Sequence, residues 1–99
     1  MAFALTWSDE AEEDLSQIHG YIARDSPVYA SDFLLRLIAA AESLIEMPEK
    51  GRRVPEVQDS SLRELIIGNY RLVYRLKVAE VQVVGIIHGA RLLPERDAW

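Results

Sequence analysis

The sequence predicts an α+β domain in which an antiparallel helical hairpin packs on a twisted, mainly antiparallel sheet. Apolar residues recur every three or four positions up to about residue 47, and the period changes to two in the second half of the chain, most regularly along residues 70–76. The first spacing is typical of amphipathic helices and the second of half-buried strands. Ninety-nine residues suit one compact core. We therefore expect one domain over residues 1–99, with the element order β-α-α-β-β-β.

The helical hairpin follows a short β-prone segment at the start of the chain. Ser8 is a good N-cap, and the acidic residues after it complement the positive end of a helix. Ser26 and Pro27 supply the N-cap and first residue of a second helix, which can fold back on the first. We expect this helix to run to Met47, because Pro48 stops it.

The second helix is apolar over an unusually wide arc. Two adjoining stripes run along it: Ala30, Phe33, Leu37, Ala40 and Leu44, and then Leu34, Ile38, Ala41 and Ile45. A helix with such an arc is normally buried on two sides. In so small a domain, we expect another chain to supply part of the second cover.

Three strands are predicted in the second half of the chain, after a loop over residues 48–61. The first spans Leu62 to Ile67 and turns at Gly68-Asn69. The second, residues 70–76, alternates regularly, which places its arginines on the face turned away from the helices. The third, Val81 to Ile87, is nearly continuous in apolar residues and is expected at the centre of the sheet.

Composition excludes several classes of protein. The chain has no cysteine, which removes disulfide frameworks, thiol catalysis and thiolate metal sites. No basic leader and no run of about 18 apolar residues is present, so we expect a cytoplasmic protein without a membrane partner. Residues 1–49 carry ten acids against two arginines, and residues 50–99 carry nine bases against six acids. The two halves are therefore expected to face different partners.

Several motifs together resemble the RelE/ParE family of bacterial toxins. The first helix has the form A..DL..I..YI from Ala11 to Ile22, and the loop contains P..GRRVPE from Pro48 to Glu56. The motifs LREL, YRLVYR and HGAR follow in order, ending at Arg91. None is specific alone, but five in the right order cover nearly the whole chain. The resemblance implies the toxin half of a type II toxin–antitoxin pair, with no cofactor or metal.

The resemblance leaves the cellular target open, because the family has two branches. ParE-like members inhibit DNA gyrase by binding, and RelE-like members cleave messenger RNA on the ribosome. A third possibility is an inactive member that binds only its antitoxin. RNA cleavage needs a base, an acid and cations around the phosphate. The acidic composition of this chain favours the ParE-like branch, because message binding depends on phosphate neutralisation.

The candidate chemical residues are His88, Arg91 and Arg71. Both arginines fall where RNA-cleaving relatives often place phosphate-stabilising arginines. His88 is the remaining candidate base, but it lies about one residue out of register with the histidine that some cleaving relatives use near this end of the chain. Where a cleaving member has an arginine on the preceding strand, this chain has Leu65-Ile66-Ile67, and Asp97 stands where many have a catalytic tyrosine. These motifs alone therefore do not assign a catalytic residue. They are compatible both with a binding toxin and with an RNA-cleaving enzyme.

Two binding surfaces complete the prediction. We expect an uncovered sheet face to carry a group of arginines that contacts the target: Arg63, Arg71, Arg75 and Arg91. The family resemblance implies a cognate antitoxin whose disordered part folds along the toxin. Its expected contacts are the excess apolar residues of the second helix: Leu34, Leu37, Ile38, Ala41 and Ile45. Both surfaces are predictions about partners.

Overall fold

The computed structural model describes residues 3–96 and Trp99, and it confirms the predicted α+β class. Its elements are β1 (Ala4–Trp7), α1 (Asp9–Ala23), α2 (Pro27–Glu42), a 3-10 turn (Ser43–Ile45), β2 (Arg52–Arg53), β3 (Leu62–Ile67), β4 (Tyr70–Leu76) and β5 (Glu80–His88). The sheet order is β1-β5-β4-β3-β2. Only β1 and β5 pair in parallel among these strands. The two-residue β2 lies inside the segment predicted as a loop.

Both helices begin where their caps predict. The Ser8 hydroxyl accepts a hydrogen bond from the Ala11 amide at 3.1 Å, and the Ser26 hydroxyl accepts one from the Tyr29 amide at 3.2 Å. Each cap satisfies an amide that the helix itself leaves unpaired. The second helix is shorter than predicted, because its α-helical part ends at Glu42 and a 3-10 turn follows. Neither helix in the described part of the chain has the length and hydropathy that a membrane crossing requires.

The main core lies between the helices and one face of the sheet, which we call the helix face. Leu72 and Tyr74 of β4 project into it, as the alternation of that strand predicts. The hydroxyl of Tyr74 donates to the carbonyl of Pro48 at 2.7 Å and accepts from the amide of Gly51 at 3.0 Å. The buried phenol therefore ties the start of the 48–61 loop to the core, with its polar atom satisfied.

The opposite face of the sheet, the far face, is covered, so the prediction of an uncovered charged face is wrong. Val54, Leu62, Val73 and Val84 form a second buried cluster there, against which Val57, Leu93 and Trp99 pack. The cover comes from the 48–61 loop and the C-terminal segment, neither of which has a hydrophobic period. Their apolar residues are scattered singly, which is why the sequence pattern does not reveal a second layer.

A β-bulge in β5 decides which way the end of this strand faces. Val73 pairs with Gly85, whereas Tyr74 pairs with Val83, so Val84 is an extra residue between the two pairs. Val84 belongs to the far-face cluster, and a Cβ on Gly85 would meet Trp99 of the same layer. After the bulge, His88 pairs with Tyr70 and lies on the helix face. A bulge of this kind adds one residue and shifts the alternation that follows.

Candidate functional site

Arg71 is the centre of an ionic cluster on the far face, defined here as the Arg71 cluster: Arg52, Glu56, Glu64 and Arg71. Both terminal nitrogens of Arg71 donate to the carboxylate of Glu56 at 2.7 Å, and its Nε donates to Glu64 at 2.7 Å. Arg52 donates to the second oxygen of Glu64 at 2.6 Å. The Arg71 and Glu64 side chains are 6% and 0% exposed. Charge-assisted pairs with this two-pronged geometry are the strong kind.

The contacts within the cluster shift the pKa values of Glu56 and Arg71 away from neutrality. The Arg71 guanidinium, helped by the backbone amide of Leu93, holds the pKa of the Glu56 carboxyl at about 2. Hydrogen bonds to Glu56 and Glu64 raise the pKa of Arg71 above its already high ordinary value. Glu56 is therefore a carboxylate, and Arg71 a cation, at any physiological pH. Neither Glu56 nor Arg71 is therefore ready to transfer a proton near neutrality.

Arg75 also lies on the far face, but it forms a separate and more open pair. Its guanidinium donates to Asp59 at 2.8 Å and to the Ser61 hydroxyl at 2.7 Å. The hydrogen bonds from Arg75 and Ser61 hold the pKa of Asp59 well below its ordinary value. Two of the predicted target-binding arginines are thus bound to carboxylates of the chain itself.

Arg63 lies on the other side of the sheet from Arg71 and Arg75, so the predicted grouping of these arginines is wrong. It is directly opposite Tyr74 in the β3–β4 pair, and Tyr74 points into the helix-face core. The Arg63 guanidinium donates to the carbonyl of Gly51 at 2.9 Å and to that of Glu49 at 3.3 Å. Its position makes it a tether of the loop rather than part of the arginine surface.

His88 and Arg91 lie at the end of β5, where the chain turns. His88 is exposed, its Nδ1 accepts from the Ala90 amide at 3.2 Å, and its ring meets the Tyr70 ring edge-on at 5.3 Å between centroids. Arg91 is also exposed, and its carbonyl accepts from Arg71 at 3.2 Å. Within residues 3–96 and Trp99, the Arg91 guanidinium has no ion pair. It is therefore available to a partner.

An open pocket at this end of the strands is lined by the three candidate chemical residues, Arg71, His88 and Arg91. We call it the strand-end pocket, and its charged or titratable lining consists of Arg52, Glu56, Arg71, His88 and Arg91. Arg71 is on the far face and His88 on the helix face, so the pocket wraps around the sheet end. Its chemistry is that of an anion site in which the chain's own Glu56 is already bound.

A second depression, the aromatic groove, lies on the helix face beside the pocket. Tyr29 stacks on Phe33 with 6.1 Å between ring centroids, and Phe33 meets Tyr70 at 5.5 Å. Exposed Tyr21 and Arg91 also line this groove. Burial raises the pKa of the Tyr70 hydroxyl, which excludes it as a phenolate at neutral pH. The groove is suited to contacts with apolar and aromatic groups.

The predicted antitoxin contacts on α2 separate into two sets. Leu37 and Ala41 are fully buried in the domain's own core, so the part of the prediction that has them contact a partner is wrong. Leu34, Ile38 and Ile45 are half-buried and keep apolar surface that another chain could cover. The wide apolar arc is therefore mostly satisfied within the domain, and a narrower strip is left.

The roles of Asp14 and Glu64 are not among those that the sequence motifs predict. Asp14 is one of the acidic residues that follow the Ser8 cap, and it accepts two hydrogen bonds from Arg96, at 2.9 and 3.0 Å, and one from the Ile86 amide at 3.0 Å. Glu64 is buried between two arginines. The sequence does carry a signal for Glu64, because an acid in a strand whose other residues, apart from Arg63, are apolar needs a cation if it is buried.

The described residues contain no group of three or more histidines, aspartates or glutamates arranged to hold a metal ion. The site therefore consists of guanidinium groups, carboxylates, one exposed imidazole and an aromatic surface. It can bind anions and apolar groups without a metal.

The fold defines a small α+β domain of the kind found in several solved toxin structures. Superposition on the chromosomal ParDE toxin–antitoxin system of P. aeruginosa gives a TM-score of 0.73 at 21% identity, over 88% of this chain and 96% of that one. The RelBE2 toxin–antitoxin complex of Mycobacterium tuberculosis gives 0.65 at 18% identity, over 89% and 99%. These similarities show the fold.

Sequence comparison identifies the family. The model for the ParE toxin of the type II toxin–antitoxin system parDE matches residues 5–93. Toxin RelE2 of Caulobacter vibrioides is 39% identical over 89 residues, which is 89% of this chain and 97% of that protein. The putative toxin Y4kP of Sinorhizobium fredii is 28% identical over 93 residues, which is 92% of this chain and 93% of that protein. The chain belongs to the RelE/ParE family of type II toxin–antitoxin toxins, as its motifs predict.

Proposed function

We propose that this protein is a ParE-like toxin that inhibits DNA gyrase by binding and is neutralised by a cognate antitoxin. The observation that carries the proposal is the state of Arg71. In an RNA-cleaving site this arginine would be available to stabilise the negative charge that develops on the phosphate during cleavage. Here both of its terminal nitrogens bind Glu56, and its Nε binds Glu64. A guanidinium committed to two carboxylates is poorly suited to that task.

The position of His88 supports the same conclusion. A general base must reach the proton it abstracts while the cations hold the phosphate. His88 follows the bulge on the helix face, whereas Arg71 lies on the far face. Its Nδ1 is occupied by the Ala90 amide. A binding toxin needs no such arrangement, and exposed Arg91 beside the aromatic groove gives it a cation and an apolar surface for a protein target.

RNA cleavage on the ribosome is the second candidate function, and one observation favours it. His88 and Arg91 are both exposed and line the same pocket as Arg71. Catalytic contacts tighten in the substrate complex, and a bound message would draw His88 and Arg71 toward the same phosphate. A relative of 39% identity also carries the name Toxin RelE2.

Assays with the purified toxin distinguish the two functions. A gyrase-directed toxin is expected to inhibit supercoiling and to stabilise cleaved gyrase–DNA complexes, while a message translated in its presence stays intact. The matched control is the same toxin preincubated with its antitoxin. Uninhibited supercoiling by gyrase, together with cleavage of the message on the ribosome, would reverse the assignment.

Substitution of the two exposed residues tests the mechanism in cells. In a binding toxin, Arg91 pairs with a carboxylate or phosphate of the target and keeps its charge at any relevant pH. His88 then serves to hold the turn through the Ala90 amide. We expect Arg91→Ala to reduce growth inhibition in cells without antitoxin much more than His88→Gln does. In a cleaving toxin the loss of a general base would cost roughly 10²- to 10⁴-fold in rate. Abolition by His88→Gln with Arg91→Ala unaffected would contradict the binding mechanism.

The antitoxin is proposed to cover the half-buried strip of α2 formed by Leu34, Ile38 and Ile45. Ile38→Asp should weaken the complex by at least about 2 kcal/mol if this strip is a hot spot. Ala39→Asp is the matched control, because it adds the same charge to the same helix at an exposed position. Equal affinities of the two variants in calorimetry, with both folded, would place the antitoxin elsewhere.

A further inference from the structure

The strand-end pocket is built like an anion site. Three guanidinium groups line it, those of Arg52, Arg71 and Arg91, and His88 stands at its rim. Two carboxylates face them, Glu56 in the lining and buried Glu64 behind it. The three cations exceed the two anions by one charge. Without Glu56 the excess would be two, concentrated around the exposed side of Arg71.

Glu56 binds Arg71 in the way that a phosphate group would. Its two oxygens accept from the two terminal nitrogens of Arg71, both at 2.7 Å, and one of them also accepts from the Leu93 amide at 3.1 Å. Two oxygens of a phosphate accept from a guanidinium with the same parallel geometry. The contacts made by Glu56 are thus those that a bound phosphate would need in this pocket.

We infer that Glu56 is a specificity-determining residue whose carboxylate occupies the phosphate position of the strand-end pocket and so excludes phosphate and RNA from it. A tethered carboxylate acts at an effective concentration in the millimolar range or above, so it competes well against free phosphate. It also repels a second anion at close range. This inference rests on the proposed function, because it gives the physical reason why a fold with arginines at this end of the sheet binds a protein rather than a message.

Glu56 is better suited to this role than its neighbour in the cluster. Glu64 comes from β3 and is fully buried, so it is part of the sheet and cannot leave. Glu56 comes from the 48–61 loop, outside any helix or strand, and its side chain is 23% exposed. Removal of the Glu56 charge therefore changes the pocket while leaving the buried Arg71–Glu64 pair in place.

The test measures phosphate binding without gyrase, so that its failure is distinguishable from failure of the proposed function. The probes are inorganic phosphate, followed by amide chemical shifts, and a fluorescein-labelled ten-nucleotide single-stranded RNA, followed by anisotropy. We expect Glu56→Gln to bind both probes at least about tenfold more tightly than the wild type, with the shifts centred on Arg71 and Arg91. Binding of the RNA probe should weaken as salt is added.

Asp59→Asn is the matched control, because it removes the same charge from the Arg75 pair on the same face but outside the pocket. It should bind the probes like the wild type. In the Glu56→Gln background, Arg71→Lys keeps the charge and loses the two-pronged geometry, so it should reverse most of the gain. Glu56→Ala serves in place of Glu56→Gln if the latter does not fold.

Four results would overturn the inference. Wild-type protein that binds phosphate as tightly as Glu56→Gln would show that the carboxylate excludes nothing. An equal gain in Asp59→Asn would assign the effect to net charge. A gain that persists in the Arg71→Lys background would place the anion elsewhere. A gain for free phosphate without any gain for RNA would overturn the inference as stated, because Glu56 would then exclude no message.

Discussion

Replacement of Arg71 by alanine should destabilise the domain far more than replacement of Arg75, although the two arginines lie on the same face of the same strand. Arg71→Ala removes four hydrogen bonds: two to Glu56, one to Glu64 and one to the carbonyl of Arg91. Glu64, whose side chain has no exposure, is then left with Arg52 alone, and Arg52 is 60% exposed. The buried carboxylate loses the partner that is itself buried.

The expected magnitude follows from this asymmetry in burial. Breaking a buried ion pair by removing one partner costs about 3–5 kcal/mol, because an uncompensated charge stays inside. The total stability of a small domain is about 5–15 kcal/mol, so the loss is a large part of it. For Arg75 the partner Asp59 is 41% exposed and can be solvated. Exposed pairs of this type contribute little to stability, because water replaces the lost partner.

Urea and thermal unfolding followed by circular dichroism measure the difference. About 3 kcal/mol corresponds to a fall in Tm of roughly 12–24 °C for a domain of this size. The double variant Arg71→Met with Glu64→Leu should recover much of the loss, since no unpaired charge is left buried. Equal destabilisation by Arg71→Ala and Arg75→Ala would refute the reasoning. The result also bears on function, because lost toxicity in Arg71→Ala would then report unfolding rather than a lost target contact.

Two further predictions concern packing and pH. Gly51→Ala should destabilise the domain by about 1–3 kcal/mol, because its Cβ would lie 2.7 Å from the backbone carbonyl oxygen of Glu64 and 2.6 Å from the Tyr74 hydroxyl. Gly20→Ala, with nothing within 4 Å, should stabilise α1 by up to about 1 kcal/mol. Chemical denaturation compares the two variants, and destabilisation by Gly20→Ala would contradict the open space around that position. The folded-state pKa of Glu56, about 2, lies below its ordinary value, so its contribution to stability is complete above about pH 5 and is lost as the pH falls toward 2. Acid titration of unfolding should therefore show a smaller loss in Glu56→Gln than in the wild type, and identical slopes would refute the role of this carboxylate.

The order and type of the main elements could be predicted because local signals mark them. The Ser8 and Ser26 caps act within one turn, and the alternation along β4 depends on one buried face. The short β2 has no such signal, since two exposed arginines acquire strand geometry only by pairing with β3. The second layer on the far face likewise forms from isolated apolar residues of a loop and the C-terminal segment. Long-range pairing of this kind leaves no period in the sequence.

The candidate site was only partly predictable, because residue type gives the charge but not the partner. Arg71, His88 and Arg91 do line one pocket, as their positions near strand ends suggest. The sequence could not show that Arg71 is bound by Glu56, since the two are fifteen residues apart, with the end of a loop and the whole of β3 between them. It also could not show that Arg63 faces the helices. Alternate residues of β3 face opposite sides of the sheet, and both sides are partly buried. The sequence therefore does not indicate which set faces the helices.

The hydrophobic pattern of β5 does not determine which residues at the end of this strand face the helices. In a regular strand, Val83 on the helix face would put His88 on the far face, beside Arg71, because side chains alternate with a period of two. The extra residue at Val84 reverses this order and turns His88 to the helix face. The strand is apolar and buried on both faces, so either register satisfies the hydrophobic pattern equally well. One inserted residue thus separates the imidazole from the guanidinium that a cleaving site would use with it. Arg91, three residues beyond the end of the strand, is exposed beside the aromatic groove, where a partner can reach it.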